Sequence, residues 1–402
     1  MQRVLTGSAI FASWLIYALS HLFPRNKRIW IFVGWHKNKE REIFADNSKY
    51  LFLHVANTRK DVRAVWIGSD DKIVAILRDN GYESYSVHSF LGALYSFRAG
   101  YTIIDALMST RNWRYSGRSR VIQLWHADGI KTLHLDSSWS WKKWKEIILT
   151  PGLFRKFHFF VASSKYIAKH FICPSFGVGD DKVRITGLPR YDVFFREISG
   201  AEIDMHTELE QTLKEIQSLN PKKLIFFTPT FRRGKDPNVS IAELKLHEVE
   251  RFLVKNNYRM VISLHPKFSA SSWMPKNEFS RIYFSNPDFD KFSLLHHFDT
   301  IVTDYSSMCL EFLLLDKPSI FYIYDFEEYK RENGIPEEFW SLVPGPRVTT
   351  FEALLDALAA LDDREEERQR VRDILFTFEK GQSAELITQS ILKEISAEQK
   401  AS

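Results

Sequence analysis

Residues able to move protons and hold anions stand in this sequence where short apolar runs stop. His126 follows RVIQLW, inside QLWHADGIK (123–131), and His265 follows RMVISL, inside SLHPK (263–267). TPTFR (228–232) follows KLIFF, TDYSS (303–307) follows TIV, and GLPRYD (187–192) follows VRIT. A histidine near its ordinary pKa takes or gives a proton at neutral pH. Ser306 and Ser307 precede MCLEFLLL, whose spacing predicts a helix. Hydroxyls and backbone N–H groups at a helix start suit an anion. Arg190 and Arg232 each carry a fork that binds two oxygens at once. Glu311, one turn into that helix, can accept hydrogen bonds from sugar or polyol hydroxyls. Each residue also has an ordinary structural reading. A lone histidine fills a core, Asp304 or Ser306 caps a helix, an arginine makes a surface ion pair, and Glu311 lies on a helix surface. Five polar clusters at equivalent strand ends favour a shared site.

Several chemistries are excluded. No glycine-rich dinucleotide fingerprint follows the first strand, and there is no Walker A sequence, GxSxG, CxxC or HExxH. The two cysteines, Cys173 and Cys309, form no framework and are expected to be reduced, buried and structural. A net charge of +5 in 402 residues is too mild for a nucleic-acid partner.

The elements that position these residues alternate in type. IWIFVGW (29–35), VRAVWIG (62–68), YTIIDA (101–106), RVIQLWH (120–126), FHFFVASS (157–164) and VRITG (183–187) read as strands, with helical spacing between them. After a polar amphipathic stretch comes a second series: KLIFFTPTF (223–231), RMVISLHP (259–266), RIYFSN (281–286), TIVTDYSS (300–307) and PSIFYIY (318–324). The pattern predicts two consecutive α/β domains with mostly parallel sheets. The expected boundaries are an apolar segment over 1–28, a Rossmann-like acceptor-side domain over 29–205, a linker helix over 206–222, a Rossmann-like donor domain over 223–370 and a helical tail over 371–402. Ligands of open α/β sheets bind beyond the carboxyl ends of the strands, here in a cleft expected between the domains.

The N-terminus differs from the rest. Val4 to Phe23 contains no acid, lysine or arginine, and Arg25, Lys27 and Arg28 follow. Twenty such residues are just long enough to span a bilayer. A helix lying in the interface with Trp14 and Tyr17 at headgroup depth, a cleaved signal peptide and a helix packed on the body are the other readings. Membrane contact by one of the first two is the expectation.

Taken in order, QLWHADGIK, GLPRYD, TPTFR, LHPK, TDYSSMCLEF, KPSIFYIYDFEEYKRENG and PGP (344–346) resemble the CDP-glycerol glycerophosphotransferase family, the teichoic-acid primases, polymerases and capsule-polymerase relatives. FADNSKYLFLHV (44–55) is similar to an early motif of that family. The resemblance runs from about residue 29 to 395. It implies a GT-B-like fold of two doubly wound domains, and transfer of glycerol phosphate from a CDP-polyol to an acceptor hydroxyl with release of CMP. It implies His126 and His265 as the catalytic or phosphate-engaging histidines. Trp125, Ala127, Asp128, Gly129, Arg190, Pro229, Thr230, Ser263, Leu264, Ser306, Ser307 and Glu311 would line the donor site, with Arg232 joining them as a phosphate contact. It also implies a lipid-linked or polymer acceptor and work at the cytoplasmic face of a bacterial membrane.

Three departures stand out. Trp125-His126-Ala127-Asp128-Gly129 replaces the commoner WHG-Thr-Pro form and brings an acid close to a diphosphate. Glu311 stands where Asp is usual, and Arg331-Glu332-Asn333-Gly334 replaces an Arg-Gly. They leave the polyol, the acceptor and the number of transfers open. The expected chemistry is direct displacement at the β-phosphorus, with His126 as base and His265, Arg232, Ser306 and Ser307 holding the diphosphate. No metal is obligatory, although Asp128 or Asp304 is available to recruit Mg²⁺. A GT-B glycosyltransferase using a nucleotide sugar, and a membrane-bound nucleotide-binding protein without catalysis, are the rival readings.

Overall fold

The computed structural model describes residues 7–34, 42–106, 113–126, 157–205, 207–230, 232, 239–264, 279–285, 290–333, 340, 342–360 and 364–401. The chain divides into two compact units. One holds residues 1–126, 134–204 and 377–402, and the other holds 127–133 and 205–376.

The first unit carries seven parallel strands: β1 (Asn26–Val33), β2 (Arg63–Gly68), β3 (Ser84–Ser86), β4 (Ala99–Ile104), β5 (Arg120–Gln123), β6 (Phe159–Ala162) and β7 (Val183–Ile185). Their order is β3-β2-β1-β4-β5-β6-β7. In β1 every residue from Trp30 to Val33, and in β4 every residue, is buried. Parallel strands covered on both faces read as continuous apolar runs for this reason. Helices α2 (Asp46–Thr58), α3 (Asp71–Asp79) and α4 (Phe90–Arg98) follow the first three strands. Asp70 and Ser89 cap α3 and α4 by accepting from Lys72 N and Gly92 N. On one side of β1, Phe32, Phe44, Phe52 and Trp66 pack edge to face. Burial of each such side chain contributes about 1.5–3 kcal/mol.

The second unit carries six: β8 (Lys223–Thr228), β9 (Tyr258–Ser263), β10 (Ile282–Ser285), β11 (Thr300–Thr303), β12 (Ser319–Tyr322) and β13 (Arg347–Val348), in the order β10-β9-β8-β11-β12-β13. Both sheets therefore run outward from a central strand and then restart on its other side. The restart falls between β1 and β4 in one unit and between β8 and β11 in the other. Doubly wound sheets hold ligands at this switch point. β3 and β13 are the two strands that the apolar pattern does not announce. Ser84-Tyr85-Ser86 and Arg347-Val348 are too short and polar to register as runs.

The helix expected as a linker, Thr207–Ser218, buries Leu209, Leu213 and Ile216 and belongs to the second unit. The stretch expected as a tail is divided. Helix Glu365–Leu375 stays with the second unit, where Arg368 and Arg372 pair with Asp316. Helix Ser383–Ala401 returns to the first. There Glu385 meets His54 at 2.9 Å and Glu394 meets His158 at 2.6 Å.

Helix α1 spans Gly7–Ser20, 14 residues. Among the described residues no helix is long and apolar enough to cross a membrane. Trp14 and Tyr17, expected at headgroup depth, instead meet Trp113 of the first unit at 5.2 and 5.0 Å between ring centroids. Ser20 Oγ accepts from Gly117 N. Arg25, read as a membrane-flanking charge, donates to the carbonyls of Ser20, Ser96 and Tyr115. The opposite side of α1 and the turn after it expose Phe11, Leu15, Leu19, Leu22 and Phe23. Phe90 and Leu91 at the start of α4 are exposed as well. Five of the eleven exposed large apolar side chains among the described residues thus belong to α1 and the turn after it. Of the cysteines, Cys309 is buried and Cys173 is half-buried, both as free thiols.

Candidate active site

In the first unit the switch point gathers the residues after β1, β4 and β5. His126 follows β5, and its ring Nδ1 lies 3.2 Å from the Asp105 carbonyl oxygen beyond β4. A carbonyl only accepts, so Nδ1 carries the hydrogen and the neutral ring has its lone pair on Nε2. The backbone before it is strained. Trp125 has φ 55°, a left-handed conformation uncommon for a large side chain. Three side chains hold it there. Gln123 Oε1 accepts from Trp125 N at 2.9 Å, and Asn47 Nδ2 donates to Trp125 O at 2.6 Å. Arg190 Nη1 donates to His126 O at 2.6 Å. The Trp125 and His126 rings lie 4.3 Å apart.

Arg190, expected as a phosphate contact, is only 2% exposed. Its Nη1 also meets Asp46 Oδ1 at 2.8 Å, and its backbone N donates to Asn47 Oδ1. It braces the His126 turn from inside the fold. The rest of GLPRYD serves the same unit. Gly187 has φ +73°, and a Cβ there would meet the Phe378 ring at 2.4 Å. Asp192 caps the returning helix by accepting from Ser383 N and Ala384 N. Asp105 is fully buried and accepts from Ser48 N. Burial, with Asp46 nearby, pushes its carboxyl well above the usual range.

In the second unit the residues after β8 and β11 interlock. Thr230 N and Oγ1 donate to Asp304 Oδ1 at 2.8 and 2.6 Å. Arg232 reaches Asp304 at 2.9 Å and grips Asp325 with two nitrogens at 2.7 and 3.0 Å. Its Nη1 donates to Thr230 O. Tyr305 OH donates to Asp325, and the Tyr305 and Tyr329 rings stack at 3.8 Å beside the guanidinium. Arg232 is 6% exposed, and its charge is paired with the buried Asp304 and the half-buried Asp325. Asp304, read as available to Mg²⁺, is occupied by Thr230, Tyr305 N and Arg232. Pro229 is buried, and Thr230, Ser306 and Ser307 are half-buried. Ser306 Oγ accepts from Met308 N at 3.3 Å, while Ser307, at the N-cap of helix Met308–Leu314, makes no side-chain capping bond. Glu311 is 1% exposed, inside rather than on the surface of helix Met308–Leu314. Ser263 is buried at the end of β9, and Leu264 packs in the unit's core. Ala127, Asp128, Gly129 and His265 lie outside the described residues.

Strand-end polarity thus locates both clusters, while Asn47, Asp46, Asp105, Gln123, Asp325 and Tyr305 were not singled out as site residues. FADNSKYLFLHV and YDFEEY carried three of them, Asp46, Asn47 and Asp325, as motif letters without a role.

Two doubly wound parallel-sheet units define the GT-B-like fold class. The profile of the CDP-glycerol:poly(glycerophosphate) glycerophosphotransferase family matches residues 15–393, and the chain belongs to that family. It is 28% identical over 375 residues to the teichoic acid ribitol-phosphate polymerase TarL of Staphylococcus aureus, covering 86% of this chain and 64% of that protein. It is 25% identical to a teichoic acid glycerol-phosphate transferase of the same organism, covering 92% of this chain and 94% of the relative. Against TarL the chain spans just under two thirds of the relative's length. The wall teichoic acid polymerase TagF superposes with a TM-score of 0.73 at 18% identity, covering 98% of this chain and 97% of that structure. A variant of the same polymerase was solved after a soak with CDPG.

Proposed function

We propose that this protein transfers a polyol phosphate, glycerol phosphate first among the candidates, from a CDP-polyol to an acceptor hydroxyl and releases CMP. The observation that carries the reading is the placement of His126 after β5, with Nδ1 3.2 Å from the Asp105 carbonyl oxygen. With Nδ1–H engaged by the Asp105 carbonyl, Nε2 is the atom that takes the acceptor proton. The acceptor oxygen then bonds to the donor's β-phosphorus. The bond from that phosphorus to the bridging oxygen breaks, and CMP leaves with the electron pair. Thr230, Ser263, Ser306 and Ser307, at carboxyl ends of strands in the second unit, are assigned to the donor, with His265 as the second histidine of the reaction. Arg190 and Arg232 act through the groups they hold. No obligatory metal is proposed, and turnover in excess EDTA is expected to match turnover without it.

The acceptor is proposed to be lipid-linked, at the cytoplasmic face of a bacterial membrane. The exposed apolar side of α1, with no charged residue in the helix, supports a bilayer surface as its partner.

The test is CMP release by the purified full chain offered CDP-glycerol, CDP-ribitol or a nucleotide sugar, with a lipid-linked disaccharide in detergent. Release from a CDP-polyol that is lost in His126→Asn, while CDP still binds, is expected. Turnover with the nucleotide sugar alone would establish the glycosyltransferase reading instead.

A further inference from the structure

Among the described residues Lys49 is buried and Lys317 and Lys291 are half-buried, and the first two have carbonyl acceptors supplied by the fold. Lys49 Nζ donates to the carbonyls of Ala201 and Ile203 at 2.7 and 2.8 Å. Lys317 Nζ donates to the carbonyls of His296 and Phe298. Lys291, in the second unit, has a single hydroxyl, Ser263 Oγ at 2.5 Å, and the face of the Phe226 ring 5.9 Å away. Among the described residues no carboxylate lies within ion-pair reach of it. Asp290 acts on it only at longer range, and its Oδ1 accepts from Phe292 N. An ammonium group has three N–H donors, so two are left without an acceptor among the described residues.

The place is as informative as the deficit. Ser263 is the last residue of β9, and β9 lies beside β8 in the sheet. The ammonium therefore stands at the carboxyl edge of the sheet that carries Thr230 after β8 and Ser306 after β11. Ligands of such sheets bind along this edge. A cation held here without a counter-charge is an incomplete pair. Burial pulls its pKa down to about 8, as expected for a charge that lacks its partner.

We propose that Lys291 is an anion-binding residue of the second unit that takes a phosphate oxygen of a nucleoside diphosphate ester. The identity of that ester rests on the transferase reading above, whereas the anion site itself does not. Ser263 then positions the ammonium, and the bound phosphate supplies the missing acceptors.

The experiment is calorimetric titration of the full chain and of Lys291→Met with CDP, cytidine and inorganic pyrophosphate. Methionine keeps the length of the stem and removes the charge. CDP and pyrophosphate are expected to bind Lys291→Met about 10- to 100-fold more weakly, with cytidine unchanged. Lys291→Arg should recover part of the loss. The thermal midpoint of Lys291→Met without ligand should stay level or rise, because a desolvated charge has gone. A drop of several degrees would mean that Lys291 serves the fold through Ser263, and would overturn the proposal. Equal affinity of wild type and Lys291→Met for both anions would overturn it too. Wild type that binds pyrophosphate but not CDP, with the pyrophosphate lost in Lys291→Met, would uphold the anion site and refute the cytidine donor. No binding of either anion by wild type would refute both.

Discussion

Replacing Arg190 by lysine should separate the position of His126 from its presence. Arg190 Nη1 joins the Asp46 carboxylate and the His126 carbonyl, 2.8 and 2.6 Å away, in a setting where its side chain is 3% exposed. Lysine keeps the charge, but its stem is one bond shorter than the path to Nη1, so its ammonium reaches at most one of the two oxygens. A hydrogen bond from a charged group contributes about 1.5–3 kcal/mol. Holding Trp125 at φ 55° costs about 1–3 kcal/mol. The lost bond is thus as large as the strain it offsets, and the Trp125–His126 turn relaxes in much of the population. General-base catalysis contributes roughly 10²–10⁴ in rate. Arg190→Lys should therefore lose at least about tenfold and up to that range in kcat for CMP release. CDP affinity should remain, since the groups assigned to the donor lie in the other unit. Urea unfolding should show a loss of about 1.5–3 kcal/mol with an unchanged slope. A kcat within threefold of wild type, with His126→Asn inactive, would refute the bracing role.

Other outcomes follow from the same geometry. Arg232→Met leaves the buried Asp304 and the half-buried Asp325 without their cation and should destabilise the second unit by about 3–5 kcal/mol, read by urea unfolding. Glu42 is buried where Trp66 Nε1 and Ser69 N donate to it, and desolvation raises its pKa from 4.5 to about 7. Between those values the folded chain keeps a proton that the unfolded chain has released. Stability from this group is full below about pH 4.5 and is lost as pH rises through 7, on the order of 3 kcal/mol in all. Glu42→Gln should abolish that slope in a pH series of urea midpoints. Leu15→Glu with Leu19→Glu should reduce sedimentation with anionic vesicles at least tenfold while leaving the thermal midpoint within about 2 °C; unchanged sedimentation would rule out α1 as the contact.

The sheets were legible because parallel strands buried on both faces become apolar runs, and because polar letters begin where those runs end. His126 could be located from its position after RVIQLW. What a charged side chain does was less legible. Arg190 and Arg232 have the composition of phosphate contacts and the burial of internal braces, and the difference lies in carboxylates 144 and 93 positions away along the chain. Lys291 had no signal at all, since an isolated lysine after Asp290 resembles any surface residue until the strand end beside it is known. Similarly, the apolar N-terminus announced a hydrophobic helix but not which side it would turn inward. Trp113, which receives Trp14 and Tyr17, is about a hundred residues distant.

The return of the last helix to the first unit sets an order on synthesis. A ribosome delivers the chain from its N-terminus, and domains generally fold as they emerge. Here the stretch 205–376 is in hand before Ser383 reaches Asp192 and before Glu385 reaches His54. The unit begun first is the unit finished last. Until the final helix arrives, the apolar residues it covers, Ile387 and Ile391 among their partners, have no mate. Chaperone dependence should therefore track the nascent first unit, and a stop codon near residue 380 should yield a chain whose second unit resists protease while its first is digested.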